Sequence, residues 1–128
     1  MSKRLTIAAI AALPIAFASM SAQAQMASYC DGQIMANAFY ANVQSNGSSS
    51  TVSYFVQLQN RSVQPMRYTV RFTAPHIMNA QNGSVVAILA SYQQVTVTLG
   101  SQRFSNPAGT GQLSQADMIR YTQLACPR

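Results

Sequence analysis

The sequence predicts an all-β domain, an antiparallel β-sandwich of immunoglobulin-like architecture with about seven short strands, closed by one disulfide between its ends. Three observations carry this expectation. Apolar and polar residues alternate at period two over several segments, the pattern of strands buried on one face. Turn signals recur roughly every 8 to 12 residues, a spacing typical of small antiparallel folds. The only two cysteines are Cys30 and Cys126, one towards each end of the domain.

The chain opens with Lys3 and Arg4, an apolar run from Leu5 to Met20, and the small-residue triplet Ala22-Gln23-Ala24. This is the charged, hydrophobic and cleavage-site order of a secretory signal peptide, expected over residues 1–24. Removal after Ala24 leaves one domain over residues 25–128. The run from Leu5 to Met20 is short for a spanning helix, so no transmembrane segment is expected after cleavage. Ala27-Ser28-Tyr29 ahead of Cys30 does not fit a lipoprotein cleavage site, and residues 25–29 read as a short tail. The expected destination is the periplasm or the exterior. There cysteines pair, so Cys30 and Cys126 are expected to form a disulfide stapling the terminal strands.

Within the domain, Ile34 to Val43 reads as an apolar, alanine-rich strand running into Ser45-Asn46-Gly47 and a serine run. Asn46-Gly47 signals a hairpin, while the serines suggest a longer, mobile loop. From Thr51 to Asn60, Val52, Tyr54, Val56 and Leu58 alternate with polar residues and point inward, with Phe55 the one bulky residue outward. From Arg67 to Ala74, Tyr68, Val70 and Phe72 share one face and Arg67, Thr69, Arg71 and Thr73 the other, between Pro65 and Pro75. Val85 to Leu89 is continuously apolar after Asn82-Gly83 and reads as a fully buried strand; a helix over 85–93 is the alternative for so short a run. Val95, Val97 and Leu99 alternate with polar residues up to Gly100. Asn106 to Gly111 is a loop, Ser114-Gln115-Ala116-Asp117 matches a capping box for one short helical turn, and Met118 to Cys126 is expected to be the closing strand, because Ile119, Tyr121 and Thr122 prefer extended backbone; a two-turn helix up to Leu124 is the alternative.

Charge is sparse. Residues 25–128 hold Arg61, Arg67, Arg71, Arg103, Arg120 and Arg128 against Asp31 and Asp117, a net +4 with no lysine or glutamate. That excludes the dense basic stripe of a duplex nucleic-acid binder. One histidine, His76, and two aspartates far apart in sequence argue against general acid–base catalysis, and no nucleophile-elbow motif is present. His76 has no second ligand at metal-binding spacing, and Met26, Met35, Met66, Met78 and Met118 form no thioether cluster, so no metal or cofactor is expected. Three N-x-S sequences, at Asn46, Asn60 and Asn82, fall in expected turns and read as turn chemistry.

Arg67 and Arg71, four apart on one strand face, with Arg61 in the preceding turn, are the candidate binding residues for an anion or a partner. Tyr29, Tyr40, Tyr54, Tyr68, Tyr92 and Tyr121 add contact material. The expected function is that of an exported, non-catalytic envelope or secreted protein. Its expected partners are an envelope protein or an anionic glycan or lipid. The alternatives are a subunit or assembly factor of a curli- or pilus-type surface fibre and, more remotely, a small secreted hydrolase.

Overall fold

The computed structural model describes residues 26–105 and 112–127; the expected signal peptide and the loop from Asn106 to Gly111 lie outside them. Seven strands and one helix are described. They are β1 (Ala27–Tyr29), β2 (Ile34–Asn46), β3 (Ser49–Asn60), β4 (Met66–Phe72), β5 (Ala87–Leu89), β6 (Gln94–Phe104), α1 (Gln115–Tyr121) and β7 (Thr122–Ala125). They form two antiparallel sheets, one of order β1-β2-β3-β6 and one of order β5-β4-β7.

Strand β3 is central and behaves as its alternation demands: Val52, Tyr54, Val56 and Leu58 are fully buried. Phe55 stacks on Tyr40 of β2 across the outer face, with ring centroids 5.2 Å apart. From β4, Tyr68, Val70 and Phe72 enter the same core, and the Phe72 ring lies 6.2 Å from that of Tyr54, joining the two sheets. Each fully buried large apolar side chain contributes ~1.5–3 kcal/mol, so this shared core carries most of the folding free energy.

Two bulges shift parity. On β2, Ile34, Ala36 and Phe39 are all buried although the last step spans three residues. The register slips between Ala36 and Ala38, and the extra residue turns Phe39 inward. On β6, Gly100 pairs with Tyr54 and Thr98 with Phe55, so Leu99 is the extra residue. Beyond it the strand continues to Phe104, where the sequence had suggested an end at Gly100. Gly100 has φ +156°, and a Cβ there would clash with Cγ2 of Ile77 and stand 3.2 Å from Cα of Ala80. The segment Ile77–Gln81 packs against this bulge, with Met78 and Ser101 exchanging backbone hydrogen bonds.

Several expectations are corrected. Residues 27–29 are not a tail but strand β1, so Cys30 lies in the turn between β1 and β2. The disulfide to Cys126 forms, with Cα atoms 5.9 Å apart. The serine run is no long loop: Asn46 pairs with Ser49, leaving the two-residue turn Gly47-Ser48, and Ser49 and Ser50 belong to β3. Val85–Leu89 is not a fully buried strand. Only Ala87–Leu89 pair with β4, Leu89 alone is buried, and Val85, Val86 and Ile88 are exposed. The capping box is present, with the Ser114 hydroxyl accepting from the Asp117 N–H at 3.1 Å, but the helix runs on through Ile119 to Tyr121. Burial of Met118 holds those turns helical against the strand preference of Ile119 and Tyr121, and only Thr122–Ala125 close the small sheet. Tyr54 and Tyr68 are core residues and offer no contact surface.

Candidate anion-binding face

Period two on β4 sends Tyr68 and Val70 into the core and sets Arg67, Thr69 and Arg71 on the opposite, outer face. Antiparallel pairing supplies their neighbours: Ile88 lies opposite Arg67, Ala125 opposite Thr69 and Gln123 opposite Arg71. On the other side of Arg71, Asn82 makes an isolated bridge to it. The Asn82 side-chain oxygen accepts from the Ser84 N–H at 3.0 Å and the Ser84 hydroxyl at 2.6 Å, fixing this turn beside the arginine.

Two surface grooves follow. One, of about 270 Å³, is lined by Thr69, Arg71, Asn82, Gly83 and Gln123. The other, of about 380 Å³, is lined by Asp31, Gln33, Met66, Arg67 and both disulfide cysteines. Leu124 of β7 lines both. Four strand residues separate the two guanidinium-bearing positions, roughly 13 Å. Among the described residues the one ion pair is Arg120–Asp117, at 3.2 Å, so Arg67 and Arg71 carry charge without a carboxylate partner. Arginine's planar fork of donors suits carboxylate, sulfate or phosphate, and threonine, glutamine and asparagine side chains extend the hydrogen-bonding surface around it.

Arg61 stands apart. Its N–H donates to the Gln33 carbonyl at 2.7 Å, but its exposed side chain lines neither groove, so the face holds two of the three expected arginines. His76 is exposed in a turn with φ +60° and lines neither groove. Asp117 is engaged by Ser114 and Arg120 at the helix start, while Asp31 is exposed beside the disulfide. A serine–histidine–aspartate arrangement is not assembled among the described residues. Burial pushes the phenols of Tyr29, Tyr54 and Tyr68 above their ordinary value; for Tyr54 the Leu113 N–H partly opposes this.

Sequence reasoning missed Gln123 and Asn82 as neighbours of Arg71, because both are brought there by pairing across the chain. It also missed Asn60. Asn60 is fully buried; its Nδ2 donates to the carbonyls of Gln64 at 2.7 Å and Leu89 at 3.0 Å, and its Oδ1 accepts from the Ser62 N–H at 2.9 Å. This amide ties the end of β3 to the loop ahead of β4 and to the end of β5. The Asn-x-Ser motif signalled the turn but not the burial. No helix among the described residues is long and apolar enough to cross a membrane. Comparison with protein-family models, with curated proteins and with solved structures finds no match to this chain.

Proposed function

We propose that this chain is an exported, non-catalytic protein whose two sheets make a β-sandwich of immunoglobulin-like architecture, and that it binds an anionic ligand or acidic partner on the outer face of β4. The observation that carries this is the pair Arg67 and Arg71: both exposed, both without a carboxylate partner among the described residues, and each lining one of two grooves that share Leu124. Export is supported by the order of charged, apolar and small residues at the N-terminus and by the Cys30–Cys126 disulfide. The sparse charge elsewhere makes these two arginines a local feature of the surface.

The test compares two double variants of equal net charge. Arg67→Gln/Arg71→Gln should abolish salt-sensitive binding of a labelled oligoglutamate, while Arg103→Gln/Arg120→Gln should leave it intact. Equal loss in both would mean that net charge alone attracts anions and would remove the site. A second reading, a subunit or assembly factor of a surface fibre, draws on a different observation, the position of β5 at the edge of the small sheet with Ile88 exposed on it.

A further inference from the structure

We propose that strand β5, together with Arg67 beside it, is a docking edge that takes an extended acidic segment of a partner protein as an added strand of the small sheet. This rests on the reading of the Arg67–Arg71 face as an anion-binding surface and adds the class of partner and its mode of attachment.

The first support is the state of the edge. β5 is terminal in its sheet, with β4 on one side and no described strand pairing on the other. Edge strands in stable proteins are commonly guarded by charge, proline or a bulge. Here no Lys, Arg, Asp or Glu occurs from Phe72 to Gln102. Val85, Val86 and Ile88 are 69%, 46% and 68% exposed. Of these, Ile88 alone belongs to β5, while Val85 and Val86 lead into it; together they put three apolar side chains in water at this end of the sheet, a patch of the kind that marks an interaction surface. A strand is the occupant such an edge selects, because main-chain hydrogen bonds supply attachment and alternate side chains supply specificity.

The second support is charge. The register sets Ile88 directly opposite Arg67, so the two side chains lie on one face. A strand laid along the free side of β5 would run about 5 Å from Ile88 and roughly 10 Å from the Arg67 backbone. An aspartate or glutamate on its outer face then meets the long arginine side chain, forming the charge-assisted bond that Arg67 lacks among the described residues. Charge also decides against a second copy of this chain. β5 and its flanks hold no carboxylate to offer Arg67, and pairing β5 with itself would bring in another Arg67.

The experiment uses three labelled probes: a peptide of alternating valine and threonine with one central aspartate, its asparagine counterpart, and oligoglutamate. Binding is read by anisotropy and its location by amide hydrogen exchange. The aspartate peptide should bind and slow exchange across Val85–Leu89. It should bind Arg67→Gln about tenfold more weakly, no better than the asparagine peptide binds wild type. Val86→Ser/Ile88→Ser, which alters only exposed side chains and should keep the wild-type melting curve, should lose it. No binding of the peptide, or protection elsewhere than β5, overturns the docking edge. If oligoglutamate binding is still abolished by Arg67→Gln/Arg71→Gln, the anion-binding face stands and the edge alone falls; if it persists, both fall.

Discussion

Replacing Tyr54 by phenylalanine removes a single oxygen from the centre of the molecule. The Tyr54 hydroxyl donates to Oε1 of Gln102 on β6 and accepts the Leu113 N–H at 3.0 Å, just ahead of α1. Gln102 is itself buried and directs Nε2 to the Pro75 carbonyl at 3.5 Å. The hydroxyl therefore joins the central strand, the edge strand and the entry to the helix. The phenyl ring stays in the variant, so its packing on Phe72 is kept and the loss is polar. Each buried group left without a partner costs ~1–3 kcal/mol, and Leu113, only half-buried, sits at the low end. Together they give a loss of ~2–4 kcal/mol, a large share of the ~5–15 kcal/mol that holds a domain of this size. The melting temperature should fall on the order of 10–20 °C. Urea unfolding followed by circular dichroism measures this. Adding Gln102→Leu should cost less in the Tyr54→Phe background than alone, with a coupling of at least ~1 kcal/mol. A change under ~0.5 kcal/mol for Tyr54→Phe, or strict additivity of the pair, would show that this polar cluster does not hold the three elements together.

Other outcomes follow from particular contacts. The Cys30–Cys126 bridge closes a loop with a sequence separation of 96, so Cys30→Ser/Cys126→Ser should lose ~4–5 kcal/mol by the chain-entropy estimate, measured as a urea midpoint shift. Gly100→Ala drives a methyl group into Ile77 and towards the Ala80 backbone, and a loss of ~1–3 kcal/mol is expected, with faster amide exchange over 77–81. The buried phenols of Tyr29, Tyr54 and Tyr68 have raised pKa values, so the folded state holds protons that the unfolded chain releases. Stability should be level below about pH 10 and fall as pH rises above it, less steeply in Tyr54→Phe; equal slopes in 25 °C urea titrations would contradict that.

Where burial alternates cleanly, the fold was legible from the chain. Val52 to Leu58 and Tyr68 to Phe72 read correctly because one face of each strand is wholly covered and parity settles the rest. Parity is silent about inserted residues, so the bulges at Asn37 and Leu99 had no sequence signature beyond Gly100. Over Met118–Tyr121 the strand was preferred to the alternative helix because residue preference favoured it, while the buried Met118, a tertiary contact, decided for the helix. Val85–Leu89 misled for the opposite reason. A continuous apolar run suggests two covered faces, whereas β5 is a three-residue edge with solvent beside it. Arg67 and Arg71 were found from spacing alone, but Gln123, Asn82 and the buried amide of Asn60 depend on which distant strands arrive next to them.

The central claim, a localised anion-binding face, is tested most directly by a nitrogen–proton correlation spectrum of the labelled domain titrated with tetraglutamate at low and high salt. The structure predicts salt-suppressed shifts clustered on Thr69, Arg71, Asn82 and Gln123, the lining of one groove, and extending to Arg67. Shifts of equal size at Arg103 and Arg120, or none at any residue of β4, would contradict it.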